Sequence, residues 1–188
     1  MEGQSELSAC SARFEETFRQ NYDELLRFAA RRVGEDQARD VVAETMLVAW
    51  RRRDVGKQNE RAWLYGVARN VMANLERSAA RQAQLSNKLS MSAEPAEIDQ
   101  TRRLAEQSVV AAVLNTLSTE DREALQLVEW DGLSPVEAAA VLGLGRGAFR
   151  VRLHRARSRF RTGYLAAADD DPDASVTAPE LTEDRSVR

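Results

Sequence analysis

Residues 131–161, DGLSPVEAAAVLGLGRGAFRVRLHRARSRFR, constrain the fold more than any other stretch of the chain. Ser134, Pro135 and Glu137 spell a helix start. The serine hydroxyl accepts a free N–H of the first turn, the proline sits where no N–H is needed, and the glutamate reaches back to the cap. Val136, Ala139, Ala140 and Val141 make a short apolar helix, and Gly143 permits a turn that a Cβ would obstruct. A second helix is expected from about Arg146 to Arg161. The unit is helix, tight turn, helix.

Phe149, Leu153, Ala156 and Phe160 recur at helical spacing in that second helix and form its buried stripe. At 100° per residue, Gly147, Val151, His154, Arg155 and Ser158 point the opposite way, flanked by Arg146 and Arg150. The helix carries seven arginines (146, 150, 152, 155, 157, 159 and 161) and no acid. A solvated basic helix would show the same charge. Behind a capped short helix and a glycine turn, that charge points to DNA.

The net charge of −3 argues against nucleic acid only until it is read by segment. Residues 166–188 hold seven acids and two arginines, while residues 110–165 hold eight arginines and six acids. An acidic end therefore masks a basic face. The cluster Asp169, Asp170, Asp171 and Asp173 is a candidate competitor with DNA for the adjacent arginine helix. Residues 166–188, of low hydrophobicity and with two prolines, are expected to be disordered.

A single cysteine, Cys10, excludes an internal disulfide and a cysteine zinc site, and one histidine excludes a histidine metal cluster. No cofactor or metal is expected. No nucleophile–base set or phosphate loop appears, so an enzyme is not expected. No apolar run approaches the roughly 20 residues that span a bilayer, and the N-terminus lacks a signal-peptide core, so the chain reads as cytoplasmic.

The remaining chain is helical too. Residues 1–12 are polar and expected to fray. Phe14, Phe18, Leu25 and Ala29 keep helical spacing over residues 13–33, and Gly34 ends that helix. The next runs from about Gln37 to Arg53, with Val42, Thr45, Met46, Ala49 and Trp50 inward. Asp40, Glu44, Leu47 and Arg51 form a stripe away from that core. Charged stripes are commonly just solvated, but Leu47 adds apolar area among the charges and suggests docking. After a polar loop, a helix over about 61–81 buries Leu64, Val67, Ala68, Val71 and Leu75. Trp63, Asn70, Asn74, Arg77 and Arg81 make a second row on it. Arginine pairs with phosphate, asparagine bonds base edges, and an aromatic stacks on an unpaired base. Packing of Trp63 against the first helix is the alternative. Residues 82–108, rich in Ser, Gln and Ala, read as a linker. Two more helices follow over 109–130, the second capped by Ser118, with Leu125 and Val128 inward. The fold expected is all-α: two small helical domains (13–81 and 109–165) joined by a flexible linker, the second containing the helix-turn-helix.

Three motifs in order, DVVAETMLVAWRR, WLYGVARNVMANLERSAAR and LSTEDREALQLVEWDGLSPVEAAAVLGLGRGAFRVRLHRAR, resemble the extracytoplasmic-function group of bacterial sigma-70-type sigma factors over roughly 13–81 and 109–162. The resemblance implies sigma regions 2 and 4 and a protein that binds core RNA polymerase and directs it to promoters. It places the Asp40, Glu44, Leu47, Arg51 stripe on the polymerase-binding helix. Trp63 and the Asn70, Asn74, Arg77, Arg81 row fall on the −10 helix, with Lys57, Gln58 and Asn59 in the preceding loop against a flipped-out base. Arg146, Arg150, Val151 and His154 would read the −35 duplex, with Arg152, Arg155 and Arg157 on phosphates. An anti-sigma factor covering the same faces is a further partner that the resemblance implies. Two departures stand out. Ala148 and Val151 replace Thr and Ser often found at the start of the reading helix, and residues 54–60 lack a Phe often found there. Val151 can pack on a thymine methyl but donates nothing, so an unusual −35 preference is expected. A stand-alone helix-turn-helix regulator would have no need of the residue 13–81 surfaces. A sigma-like decoy remains a third reading.

Overall fold

The structure is a computed structural model. It describes the backbone of residues 2–52, 59–89 and 109–170, and the side chains of 11–52, 59–84 and 109–167. The chain divides into two compact units, Met1–Glu97 and Ile98–Arg188. The described residues form helices α1 (Glu2–Val33), α2 (Glu35–Arg51), α3 (Glu60–Leu89), α4 (Val109–Thr116), α5 (Thr119–Glu129), α6 (Pro135–Val141) and α7 (Arg146–Asp170), with no strand among them. No helix among them is long and apolar enough to cross a membrane.

In the first unit, α1 and α2 are joined through Gly34 alone. Its φ of 83° lies in the left-handed region, where glycine carries no Cβ penalty. Its N–H donates to the Ala30 carbonyl at 3.0 Å, and its carbonyl accepts from the Ala38 N–H at 3.1 Å, so one residue closes one helix and opens the next. The core is Leu25, Phe28 and Ala29 from α1, Ala38, Val41, Val42, Thr45 and Met46 from α2, and Ala62, Leu64, Tyr65, Ala68 and Met72 from α3. The Phe28 and Tyr65 rings meet at 4.7 Å between centroids, a pairing worth about 0.5–1.5 kcal/mol beyond its buried area. The buried Thr45 hydroxyl donates to the Val41 carbonyl at 2.7 Å, which satisfies it within its own helix. Between helices, Thr17 donates to Glu60 at 3.0 Å, and Arg61 bonds Glu24 at 2.9 Å.

Several expected inward positions are displaced. Phe18, Trp50 and Leu75 are each more than a third exposed, and Ala49, Val67 and Val71 are half-buried. Phe28, Tyr65 and Met72 fill the centre instead. Helical spacing shows which residues share a face, but not how far along the helix a neighbour covers it. Phe14 and Trp50 meet edge-on at 5.1 Å, and neither is fully covered. Helix boundaries shift as well. Residues 2–12 are helical rather than frayed, α2 ends at Arg51, and α3 continues eight residues past Arg81 into the expected linker. Residues 90–108 lie outside the described residues.

In the second unit, Ser118 caps α5 by accepting from the Asp121 N–H at 3.2 Å. The capping box at α6 is complete: the Glu137 N–H donates to Ser134 Oγ at 3.3 Å, and the Ser134 N–H donates to Glu137 Oε2 at 2.8 Å, with Pro135 at the first helical position. The inward face of α6 is Ala138, Ala139 and Val141, whereas Val136 and Ala140 are exposed. Gly143, at φ 65°, makes the turn. Phe149, Leu153, Ala156 and Phe160 are all buried, as their spacing predicts, and so are Leu125, Leu127, Leu133, Ala138 and Ala139 of the same unit. Val128 is half-buried, and Leu127 takes the deeper place in α5. Helix α7 runs nine residues past Arg161, so residues 166–170, expected to be disordered, are helical. Residues 171–188, with Asp171 and Asp173, lie outside the described residues.

Candidate nucleic-acid and docking interfaces

Six of the seven arginines of α7 fall into two sets, and the seventh, Arg161, is exposed further along the helix. Arg157 faces inward against α5: its Nε donates to Glu129 Oε1 at 2.8 Å, and its Nη2 lies 2.7 Å from the same oxygen. Arg159 pairs with Asp121. Each carboxylate is nearly buried, and each takes one guanidinium out of the outward set. Arg146, Arg150 and Arg155 are exposed and have no ion pair among the described residues, and neither has Arg152, which is half-buried. Val151, 52% exposed, and the exposed His154 stand among them. The result is an outward face of unneutralised cations around one apolar side chain, on the second helix of a helix-turn-helix. Arg152 and Arg155 also line a groove with Asp121, Ala148, Val151 and Arg159. Arg157 therefore sits apart from the phosphate row in which the sequence places it.

Sequence reasoning missed Asp121 and Glu129 as holders of arginines. Asp121 is visible as a first-turn acid behind Ser118, and Glu129 as the last residue of its helix. The 28- and 38-residue separations from their arginines leave no local signal.

On α2, Asp40, Glu44, Leu47 and Arg51 are all exposed on one strip opposite the Ala38, Val41, Val42, Thr45 core. Leu47 keeps 39% of its surface open to solvent. On α3, Asn70, Asn74, Arg77 and Arg81 are exposed and Trp63 is half-buried near the start. The Trp63 N–H donates to the Asn59 carbonyl at 3.0 Å, so Asn59 forms the entry to the helix. Arg77 donates to Asn74 Oδ1 at 2.6 Å, which leaves the Asn74 amide N–H groups as donors. Lys57 and Gln58 lie outside the described residues. No group of three His, Cys, Asp or Glu among the described residues is placed to hold a metal ion.

The surfaces lie within two family matches: sigma-70 region 2 over residues 17–82, and sigma-70 region 4 over residues 108–160. The chain is 36% identical over 144 residues to the ECF RNA polymerase sigma factor SigL of Mycobacterium tuberculosis, covering 72% of this chain and 81% of SigL. The chain belongs to the extracytoplasmic-function sigma factors. A second relative, the ECF RNA polymerase sigma factor EcfG of Rhodopseudomonas palustris, is 33% identical over 147 residues, covering 76% of this sigma factor and 81% of EcfG. Among solved structures it resembles CnrH in complex with the cytosolic domain of CnrY, with TM-score 0.60 and 30% identity over 88% of this chain and 95% of CnrH. It also resembles the sigma factor RpoE in complex with the anti-sigma factor NepR from Bartonella quintana, with TM-score 0.59 and 28% identity over 81% and 96% of the two chains. This sigma factor is thus an alternative sigma factor, one of a family of transcription initiation factors. The stand-alone regulator reading falls with that membership.

Proposed function

We propose that the first unit, over residues 13–81, acts as sigma region 2 and the second, over residues 109–165, as region 4, with the residues between α3 and α4 as the linker. Asp40, Glu44, Leu47 and Arg51 dock on core RNA polymerase. Trp63, Asn70, Asn74, Arg77 and Arg81, with Lys57, Gln58 and Asn59 before them, take the melted −10 strand. Arg146, Arg150, Val151 and His154 read the −35 duplex, while Arg152 and Arg155 hold phosphates. Arg157 contributes by fixing α7 to α5.

The reading is carried by one observation above the rest: Arg146, Arg150, Arg152 and Arg155 of α7 have no acidic partner among the described residues, whereas Arg157 and Arg159 do. A face that the described residues leave unneutralised suits a polyanion, because each phosphate contact releases counterions. The chemistry is recognition and strand opening without bond-making by this chain. Opening costs a few kcal/mol per flipped base, offset only where the sequence fits the pocket. Two modest DNA-binding modules in one chain gain effective concentration for each other's element once both ride on polymerase. On this reading the sigma factor works in the cytoplasm with the polymerase. CnrH and RpoE were each captured with a protein partner, NepR being an anti-sigma factor, and the same class of partner fits this chain.

In vitro transcription tests the reading. The purified chain and sigma-free core polymerase are mixed with templates randomised at −35 and −10, and transcripts are sequenced. Chain-dependent transcripts sharing two elements are expected. Polymerase binding without transcripts would favour the decoy, and neither binding nor transcripts would overturn the proposal.

A further inference from the structure

The rigid length of α7 decides which acids can return to its arginine face. The helix is unbroken from Arg146 to Asp170. At 1.5 Å per residue, Asp170 lies about 22 Å along the axis from Arg155 and about 30 Å from Arg150. A chain leaving Asp170 advances at most about 3.3–3.6 Å per residue. Asp169 and Asp170 belong to the helix backbone and stay at its far end. Asp173, three residues on, reaches back no more than about 11 Å, to the turns around Arg161. The Asp169–Asp173 cluster, the competitor expected from sequence, therefore falls short of the reading face.

A second acidic group does not fall short. Residues 180–184 read Glu-Leu-Thr-Glu-Asp. Glu180 is ten residues beyond Asp170, a span of up to about 33–36 Å, and Asp184 has about 46–50 Å, enough to regain Arg150 with slack for the reversal. The composition matches what the face offers. Residues 180–184 hold three carboxylates against the three exposed arginines Arg146, Arg150 and Arg155, and in sequence Leu181 stands among those acids as Val151 stands among the arginines.

We propose that residues 180–184 fold back onto the outward face of α7 and compete with promoter DNA for it, an autoinhibitory contact within the second unit. It rests on the reading of α7 as the −35 helix. Tethering raises the local concentration of the segment, so a weak contact suffices to occupy the face. DNA, with its denser charge, displaces it once polymerase holds the chain at a promoter.

The test uses the full chain. Glu180→Gln/Glu183→Gln/Asp184→Asn is compared with Asp171→Asn/Asp173→Asn, which removes acids from the same segment but out of reach of Arg150. Affinity for a labelled random-sequence duplex is measured by anisotropy at low salt. The imidazole resonances of His154, the sole histidine and exposed on the face, are followed by NMR without DNA. The triple variant is expected to bind duplex roughly three- to tenfold more tightly, an effect lost at high salt, and to shift the His154 signals. The double variant should do neither. Unmoved His154 signals in the triple variant, or equal effects of both variants, would overturn the contact in favour of a general charge effect. If His154 shifts but no variant binds duplex, the contact stands and the DNA reading of α7 fails.

Discussion

Arg157 separates a structural role from a DNA-contacting one. Its side chain is four-fifths buried, and that of its partner Glu129 is 8% exposed. Arg157→Gln would leave a nearly buried carboxylate without its cation. Removing one partner of a fully buried pair costs about 3–5 kcal/mol; because Arg157 keeps an edge in water, the expected loss is about 2–3 kcal/mol. For a unit this small, each kcal/mol moves the midpoint by roughly 4–8 °C, so the second unit should melt about 10–20 °C lower. Calorimetry of the full chain, with hydrogen exchange of the α7 amides to assign the transition, measures this. The salt dependence of duplex binding should keep its slope if Arg157 is held by Glu129 rather than by a phosphate. Glu129→Leu/Arg157→Met, which removes both charges, should recover most of the loss. An unchanged midpoint, together with a salt slope shallower by about 0.9, would place Arg157 on a phosphate and refute the structural assignment.

Arg155→Gln should behave oppositely, lowering the salt slope of duplex binding by about 0.9 while leaving the melting midpoint in place. Ser134→Ala removes the capping box and should destabilise the second unit by about 1 kcal/mol, read as a drop of several degrees in its midpoint. A Cβ on Gly163 would lie 3.0 Å from Val113 Cγ1, so Gly163→Val should cost about 1–3 kcal/mol in a thermal melt, with Val113→Ala added to relieve it. Leu47→Ala should weaken core polymerase binding about tenfold, as loss of an apolar side chain buried on docking implies, with unchanged helical circular dichroism.

Much of the second unit was legible because its signals are local. The Ser134–Glu137 capping box, the Gly143 turn and the 149, 153, 156, 160 stripe each depend on residues within one or a few turns, and each forms as the spacing predicts. The first unit was less legible. Phe18, Trp50 and Leu75 share faces with core residues, yet stand partly open because the faces extend beyond the region their neighbours cover. Helix ends were missed for a related reason. The mostly polar run QAQLSNKL over 82–89 weakens the periodic signal without breaking the backbone ladder, and α3 continues through it.

The sequence by itself determined the helix-turn-helix, the outward strip of α2 and the concentration of arginine on α7, because helical periodicity and capping act over three or four residues. Only the tertiary structure decided which of those arginines are available. Glu129 and Asp121 lie 28 and 38 residues away from Arg157 and Arg159. Charge pairing depends on distance in space, and packing α5 against α7 is what brings these charges together.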